Sequence, residues 1–397
     1  MANRILTTHV GSLIRPPKFV ELLRAIENNQ PPAPNVYETM LRDSVADVVR
    51  QQAEAGVDIV SDGEFGKGNN WAFYVHSRIT GIVTRPMTPE EATDPMVSPG
   101  GGRDREAFPE YYAEADKATG LAARLRNRFI CTGPIRYVGH KELQRDIDNL
   151  KTALARVKVE GAFLPVVAPA SALPAARNEH YPSERDFLFA LAEALRVEYR
   201  TIVDAGLYVQ IDDAFLPYMY EKLVPPMTLA QYREWAQLRV DALNHALEGI
   251  PPERSRYHIC WGSWSGPHMF DVPIKDIIDL VVQVNVGAYS FEAANVRHEH
   301  EWKVWKTVKL PAGKKLLPGI ISHATNLVEH PELIADRIIR YANIVGRENV
   351  IASSDCGFAQ SPFARRVHPT IQWAKLRMLA EGARLATREL WGQQAAA

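Results

Sequence analysis

Three short segments that lie far apart in the chain carry side chains able to bind a soft metal ion: His258-Ile259-Cys260, Glu292 and Cys356. Thiolate and imidazole are ligands that zinc accepts, and a bound zinc ion keeps a thiol deprotonated at neutral pH. The chain has 3 cysteines, and two of them fall in this set. If the segments meet in space, the chemistry they offer is the alkylation of a sulfur atom.

Each of these residues also has an ordinary structural interpretation. His258 and Cys260 are two positions apart, so on a strand both face the same side and both can reach one ion. A His-x-Cys pair by itself is more often a buried thiol beside a hydrogen-bonded imidazole. Glu292 closes an apolar run and could form an ion pair with a following basic residue, and Cys356 could be a small core residue. The residues alone leave both interpretations open.

Composition excludes several classes of function. The 397 residues include 46 basic and 47 acidic side chains, so nothing indicates binding to nucleic acid or to a membrane surface. Three cysteines do not make a disulfide framework, and Cys131 is predicted to lie in the core. The first residues lack the apolar stretch of a secretory signal, and no run reaches the roughly 18 apolar residues of a membrane-spanning helix. We therefore expect a cytoplasmic protein, in which zinc-binding thiols stay reduced.

Short apolar runs alternate with amphipathic segments, a pattern typical of a parallel sheet flanked by helices. The predicted strands are Leu6–Val10, Val57–Ser61, Phe129–Gly133, Phe163–Ala168, Leu207–Ile211, Tyr257–Trp261, Ala288–Phe291, Leu316–Ile321 and Val350–Ser353. The length suits one (β/α)8 TIM barrel, a single catalytic domain over residues 1–397. Because such a barrel has eight strands, one of the predicted strands lies outside it or is wrong. An open doubly wound sheet is the alternative, although no Gly-x-Gly-x-x-Gly motif supports a dinucleotide-binding fold.

Polar residues directly follow most of the predicted strands. They are Gly11-Ser12, Asp62-Gly63-Glu64, Asp212-Asp213, His258 with Cys260, Glu292 and Asp355-Cys356. In a (β/α)8 barrel the carboxyl ends of the strands form the active site. We therefore expect these residues to converge.

One stretch interrupts the alternation, because residues 85–116 are rich in proline and glycine and show no clear helical period. The stretch follows the second predicted strand and is expected to be a long insertion loop of the barrel. Such a loop in a compact fold is a lid, an oligomer arm or a flexible excursion, and the sequence does not choose among the three.

Taken together, the polar segments resemble those of cobalamin-independent methionine synthases. The His-x-Cys pair, the later glutamate and Asp355-Cys356-Gly357 resemble the family's zinc-binding segments. Thr7–Ser12 resembles its Thr-Thr-x-Ile-Gly-Ser segment, Asp62-Gly63-Glu64 its His-Gly-Glu, and Gln210–Asp213 its Gln-Ile-Asp-Glu. The segments occur in family order over nearly the whole chain, which matches only the catalytic C-terminal half of the long enzymes.

The resemblance implies a (β/α)8 barrel and a zinc ion with four protein ligands, namely His258, Cys260, Glu292 and Cys356. It also implies that homocysteine binds with its carboxylate at Gly11 and Ser12 and its amine at Glu64 and Asp212. A carboxylate pair can hold an ammonium by charge-assisted hydrogen bonds. His323 follows a run one residue shorter than the family's and is the candidate proton donor, with water as the alternative.

Two departures from the family concern the methyl donor. The Thr132–Tyr137 segment has no tryptophan where the long enzymes stack one on the folate, and the residues after Glu64 differ from the family's. The methyl or alkyl donor is therefore left open.

The chain also resembles a shorter, single-barrel branch that includes the epoxyalkane:coenzyme M transferases, which use zinc to present a thiolate to an epoxide. Ala294–Trp302 and Thr325–Pro331 are typical of these short forms. Arg297 and His298 follow Glu292 closely, where they could line the pocket or orient the zinc ligands. The alternative is a charged helix start at the surface.

The sequence therefore predicts a zinc-dependent thiol alkyltransferase that methylates the sulfur of homocysteine, as in methionine biosynthesis. One alternative is the opening of an epoxide by coenzyme M or another thiol. A second is a metal-free barrel like uroporphyrinogen decarboxylase, or a non-catalytic small-molecule binder. The expected partners are a thiol acceptor and an alkyl donor, and an oligomer is compatible with the sequence.

Overall fold

Eight parallel strands form a sheet that curves into a barrel. The computed structural model describes residues 3–68, 70–91, 102–119 and 127–392. In chain order its strands are β1 (Leu6–Thr7), β2 (Ile59–Ser61), β3 (Ile82–Pro86), β4 (Asn127–Cys131), β5 (Gly161–Val167), β6 (Arg177–Asn178), β7 (Tyr208–Asp213), β8 (Ser255–Ile259), β9 (Ala288–Phe291), β10 (Lys315–Ile321) and β11 (Ile351–Ser354). The order in the barrel is β1-β11-β10-β9-β8-β7-β5-β2.

The two outer strands of this sheet, β1 and β2, are joined by hydrogen bonds. The Asp58 N–H donates to the Thr7 carbonyl oxygen over 3.1 Å, and the Thr8 hydroxyl donates to the Ile59 carbonyl oxygen over 2.9 Å. These contacts bring the barrel close to closure. The predicted (β/α)8 fold is thus confirmed, and the open doubly wound sheet is excluded.

Helices alternate with the strands, as the apolar periodicity predicted. They are α1 (Pro17–Glu27), α2 (Pro34–Glu54), α3 (Arg103–Ala107), α4 (Pro109–Thr119), α5 (His140–Leu154), α6 (Pro169–Ala172), α7 (Glu184–Asp204), α8 (Phe215–Tyr218), α9 (Tyr220–Leu223), α10 (Leu229–Ala246), α11 (Ile278–Val281), α12 (Pro331–Val345) and α13 (Pro369–Trp391). Side-chain caps mark the starts of some of these helices: Ser183 accepts from the Asp186 N–H at α7, and Thr228 and Gln231 form a capping box at α10. None of the helices described has the length and apolar character needed to cross a membrane.

The strand that exceeded the eight places of the barrel is Phe129–Gly133, which corresponds to β4. It lies outside the barrel in a three-stranded sheet, antiparallel to β3 and parallel to β6. The insertion after β2 supplies β3 as a pairing partner, while β2 pairs directly with β5. The predicted strand Phe129–Gly133 is therefore a real strand, but it pairs with β3 and β6 instead of joining the barrel.

The long insertion after β2 is present, but it is not an irregular loop throughout. Residues 92–101 lie outside the described part of the chain, whereas most of 103–116 is helical in α3 and α4. The prediction of a non-helical segment was wrong there, because tertiary contacts rather than a periodic apolar face stabilise these short helices. Arg105 pairs with Asp116 over 2.7 Å, and Asp104 accepts hydrogen bonds from the N–H groups of His268 and Met269.

An apolar layer contributed by five barrel strands lies below the polar strand ends. Its buried members are Ile59, Phe163, Ala288, Leu317 and Ile351. Because side chains alternate along a strand, the positions two and four residues after Ala288 point to the same side, and they are Ser290 and Glu292. The apolar layer thus forms the floor on which the polar site rests.

Candidate metal centre

The carboxyl ends of the barrel strands open into a cavity of about 590 Å³. The predicted site residues that line it are Ser12, Glu64, Asp212, His258, Cys260 and Cys356. The expected convergence at this end of the barrel is therefore observed for most of them. Gly11, Glu292 and His323 are not among the residues that line the cavity.

Three of the predicted metal ligands come together. The ligand atoms of His258, Cys260 and Cys356 all lie within 4.8 Å of one another, and the two Sγ atoms are 3.8 Å apart. Two thiolates bound at about 2.3 Å by a tetrahedral ion would lie about 3.8 Å apart, which matches this spacing. Nε2 of His258 is buried without a hydrogen-bond partner among the described residues, as expected of a nitrogen reserved for a metal. This donor set fits zinc.

The imidazole of His258 is oriented by a serine on the neighbouring strand. Ser290 Oγ lies 3.0 Å from Nδ1, and the two residues are in register across β8 and β9. Burial lowers the pKa of His258 to about 4, so the ring is neutral at pH 7 and can donate a lone pair. Ser290 is thus placed as the hydrogen-bond partner that fixes the ring of a metal-binding histidine.

The thiols of Cys260 and Cys356 are joined by a hydrogen bond between their sulfur atoms. The hydrogen bond between the sulfurs lowers the pKa of Cys356 and raises that of Cys260 well above its usual range, and burial adds to the second effect. A cation between them would replace the shared proton and allow both sulfurs to be thiolates.

Glu292 stands apart from the three converging ligands. It is not in the group whose ligand atoms lie within 4.8 Å of one another in the described chain. Its Oε1 accepts from the Trp261 N–H over 3.1 Å and its Oε2 from the Asn295 amide over 2.6 Å. Burial, with Asp355 nearby, raises the pKa of Glu292 well above its usual range. Its role as the fourth zinc ligand remains a prediction.

Glu64 reaches the cavity from a strained turn. Its φ of 63° lies in the left-handed region, which residues other than glycine seldom adopt. Asp62 accepts from the Glu64 N–H over 2.9 Å, and Arg15 donates to the Glu64 carbonyl oxygen over 2.6 Å. A Cβ at Gly11 would lie 2.8 Å from Oε1 of Glu64, so glycine at position 11 makes room for the carboxylate.

Lys67, which was not predicted to belong to the site, pairs with Glu64. Its Nζ lies 3.7 Å from Oε1 of Glu64 and donates to the Trp71 carbonyl oxygen over 3.4 Å. The ammonium also lies 4.8 Å from the centroid of the Tyr74 ring, and the side chain is 7% exposed. A buried cation therefore partly neutralises the carboxylate predicted to hold the substrate amine.

Asp212 lies beside His258, its partner in register on β8. Gln210 donates to its Oδ1 over 2.7 Å. Burial raises the pKa of Asp212 to about 7, with Glu64 adding to the effect and His258 opposing it. Binding of an ammonium beside this carboxyl would favour its ionised form.

His323, the predicted proton donor, is 3% exposed and is not among the residues that line the cavity. Neither ring nitrogen makes a hydrogen bond of good geometry to a described residue, although the Ser263 backbone is nearby. Burial, together with Arg366, lowers the pKa of His323 to about 3. The ring is therefore neutral at pH 7, and its role as a proton donor remains a prediction.

Aromatic side chains form much of the remaining cavity wall. Trp71 packs against the small cluster formed by Ala214, Cys260 and Cys356, and it stacks on Phe215 with ring centroids 6.5 Å apart. Tyr218 meets Trp264 edge to face at 5.0 Å, and the Trp264 indole N–H donates to the Tyr112 hydroxyl over 3.2 Å. The insertion contributes Met87, Arg105, Tyr111, Tyr112, Ala115 and Asp116 to the wall. It is thus part of the site.

Of the two residues noted after Glu292, His298 is buried and Arg297 is exposed. The ring of His298 stacks on Trp261 with centroids 3.8 Å apart, and the Trp261 N–H binds Glu292. His298 therefore supports a predicted ligand through its neighbour.

Three residues of the site were missed in the sequence. Ser290 precedes Glu292 by two positions, so the strand period could have placed it on the ligand face. Lys67 was visible only as a departure from the family after Glu64. Arg366, which lines the cavity, lies in an irregular segment between β11 and α13 and carries no local signal.

The chain is similar over nearly its whole length to two kinds of protein. It is 24% identical to a 2-hydroxypropyl-CoM lyase of Xanthobacter autotrophicus, covering 97% of this chain and 95% of the relative. It is 23% identical to a methionine synthase of Sulfolobus acidocaldarius, covering 90% of this chain and 86% of the relative. No protein-family model matches the chain.

Solved structures share the fold. A B12-independent methionine synthase from Shewanella sp. W3-18-1, in complex with selenomethionine, has a TM-score of 0.71 at 18% identity and covers 98% of this chain and 100% of its own. A putative vitamin-B12 independent methionine synthase from Listeria monocytogenes has a TM-score of 0.67 at 20% identity, covering 99% and 100%. The resemblance to the cobalamin-independent methionine synthase superfamily, its coenzyme M branch included, is therefore confirmed.

Proposed function

We propose that the protein is a zinc-dependent thiol alkyltransferase and that it transfers a methyl group to the sulfur of homocysteine. The observation that carries the proposal is the convergence of His258, Cys260 and Cys356 at the cavity. The sulfurs are 3.8 Å apart, and Nε2 of His258 has no hydrogen-bond partner among the residues that the structure describes. The relatives named methionine synthase and 2-hydroxypropyl-CoM lyase support a thiol alkyltransferase family.

In this proposal the three converging residues hold the zinc ion, with Glu292 as the fourth ligand. Zinc, when bound, would lower the pKa of an incoming thiol and keep it as a thiolate. Ser290 fixes the ring of His258 so that Nε2 is the nitrogen presented to the ion. Trp71 packs against the cluster that contains both cysteines and limits the access of water to it.

The acceptor lies between Ser12, Glu64 and Asp212, which line the cavity beside the metal centre. Glu64 and Asp212 hold the amine by charge-assisted hydrogen bonds, and Gly11 and Ser12 adjoin the carboxylate. The strained turn at Glu64 costs conformational energy, which is typical of residues that serve a site rather than the fold.

The alkyl donor occupies the aromatic part of the cavity. The acceptor sulfur forms the new bond to carbon, the bond from that carbon to the donor atom breaks, and the donor atom leaves with the electron pair. The leaving group then takes up a proton. His323 is buried and neutral at pH 7, which favours water in the cavity as the source of this proton.

A second candidate function, the opening of an epoxide by coenzyme M or a similar thiol, is favoured by Lys67. Its ammonium forms an ion pair with Glu64, so the carboxylate has a counter-ion even when the acceptor carries no amine. The similarity to the 2-hydroxypropyl-CoM lyase agrees with this candidate. The two candidates share the metal centre and differ in acceptor and donor.

Metal analysis and thiol titration test the proposal together. The purified protein is expected to contain about one zinc per chain, and Cys356→Ala is expected to lose it while remaining folded. Calorimetric titration of the zinc-loaded protein with homocysteine, coenzyme M and cysteine is expected to show tightest binding of homocysteine with about one proton released. Preference for coenzyme M would select the second candidate.

Absence of zinc, or retention of one zinc per chain by the Cys356→Ala variant, would contradict the assignment of the metal centre. The protein would then belong with metal-free barrels or small-molecule binders. The cytoplasmic location remains a prediction.

A further inference from the structure

Arg366 is a cation of the cavity wall without an acidic partner in the described part of the chain. Its Nε donates to Oε1 of Gln360 over 3.1 Å, and no described carboxylate lies within 4.0 Å of its guanidinium. The two terminal nitrogens donate no hydrogen bond to a described residue. A half-buried guanidinium that faces a cavity and has no carboxylate partner can bind an anion there.

The other arginines that line the cavity differ from Arg366 in this respect. Arg105 pairs with Asp116 over 2.7 Å, and Arg128 pairs with Glu91 over 2.8 Å. Both hold the insertion together. Arg366 is therefore distinguished among the described arginines of the wall by having no carboxylate partner, although its charge also acts on the nearby Cys356 thiol.

Arg366 also lies one side chain away from the metal centre. Gln360, which accepts from the Arg366 Nε, places its own amide nitrogen 3.9 Å from Sγ of Cys356. The Arg366 N–H donates to the Phe358 carbonyl oxygen over 3.1 Å, and the Phe358 N–H donates to the Ser12 carbonyl oxygen over 2.8 Å. Ser12, Cys356 and Arg366 thus form one continuous wall.

We infer that Arg366, on the same wall as Ser12, supplies the cation that binds the acid group of the acceptor thiol, a carboxylate or a sulfonate. This inference rests on the proposed function, because it takes the sulfur of that thiol to be at the metal centre. A planar guanidinium matches both acids with two parallel hydrogen bonds. The assignment applies to homocysteine and to coenzyme M alike, since each carries an acid a few bonds from its sulfur.

The test compares thiols that differ in the acid. Zinc-loaded protein is titrated calorimetrically with 3-mercaptopropionate, 2-mercaptoethanesulfonate and 2-mercaptoethanol, using the parent, Arg366→Met and Arg366→Lys. The matched control is Arg365→Met, which removes the exposed neighbouring arginine. Circular dichroism and zinc content check that each variant is folded and loaded.

The parent is expected to bind at least one acid more tightly than 2-mercaptoethanol. Arg366→Met is expected to lower the affinity for that acidic thiol by roughly 10- to 100-fold, the effect of losing a charged hydrogen-bond partner. The affinity for 2-mercaptoethanol is expected to stay unchanged. Arg366→Lys should restore part of the loss, and Arg365→Met should resemble the parent. Which acid is preferred distinguishes a carboxylate from a sulfonate acceptor.

Equal affinity of the parent for all three thiols, or an equal loss for all three in Arg366→Met, would overturn the assignment while leaving the metal centre intact. Failure of the zinc-loaded parent to bind any of the three would overturn the proposed function, and the assignment of Arg366 with it. The two failures are thus distinguishable.

Discussion

The ammonium nitrogen of Lys67 lies 3.7 Å from Oε1 of Glu64, and both side chains are buried beside the cavity. The carboxylate assigned to the substrate amine therefore has an internal counter-ion before any substrate arrives. In the free protein the positive charge of Lys67 partly neutralises the carboxylate of Glu64, as the amine of a bound substrate would. Recognition of the acceptor thus depends on the balance between Glu64, Asp212 and Lys67.

Removing the internal cation should shift this balance toward amino-thiols. For Lys67→Met, we expect the affinity for homocysteine to rise several-fold relative to that for 4-mercaptobutyrate, which is homocysteine without its amine. The measurement is the ratio of the two dissociation constants in parent and variant. An unchanged ratio would mean that Lys67 stabilises the turn without influencing the acceptor.

The opposite change is predicted for Glu64→Gln. The variant keeps the shape of the side chain but removes the charge that would pair with an ammonium. We expect the KM for homocysteine to rise by about 10-fold or more, with a much smaller rise for 4-mercaptobutyrate. Equal increases for both thiols would remove the amine-binding role from Glu64.

The fold and the strand ends that carry the site residues were predictable, because both follow from the periodicity of the strands. Short apolar runs marked the barrel strands, and the polar residues at their ends pointed to the metal centre. Among the predicted strands, only the one that corresponds to β4 lies outside the barrel, since its pairing partner β3 comes from an insertion with no periodic signal.

Contacts that join distant segments could not be predicted in the same way. Arg366 reaches the metal centre through Gln360 and the Phe358 backbone, a link set by an irregular segment. The ion pair between Lys67 and Glu64 could not be predicted without the path of the turn at Glu64, which brings the two side chains together. Glu292 was grouped with the other ligands by family order, whereas its carboxylate is held by Trp261 and Asn295.

The orientation of His258 gives a prediction about metal affinity. Ser290→Ala removes the hydroxyl that lies 3.0 Å from Nδ1 of His258. We expect zinc affinity to fall by roughly 10- to 100-fold, the usual effect of losing such a partner, without loss of the fold. The measurement is competition for zinc with a chromophoric chelator.

Ser353→Ala is the matched control, because Ser353 is also a buried serine of a barrel strand but its hydroxyl has no partner in the described chain. It should leave the zinc affinity unchanged. Equal affinities in the two variants and the parent would show that Ser290 does not support the metal ligand.

The pair formed by His298 and Asp271 gives a prediction about stability and pH. Burial alone would lower the pKa of His298, but hydrogen bonds to Asp271 and Glu301 raise it to about 9. The unfolded chain has a histidine pKa near 6.5. Because the folded value is the higher one, the stabilisation is fully present below about pH 6.5 and is lost as the pH rises through 9.

The free energy of unfolding should therefore decrease between pH 6.5 and 9.5, by about 3 kcal/mol from this histidine. Urea unfolding at several pH values, with equal metal loading, measures the decrease in the parent and in His298→Gln. His268 also binds Asp271 and its pKa is raised too, so the variant should retain part of the slope. The difference between the two curves isolates His298. Parallel curves would mean that His298 is neutral in the folded protein and stacks on Trp261 without a charge.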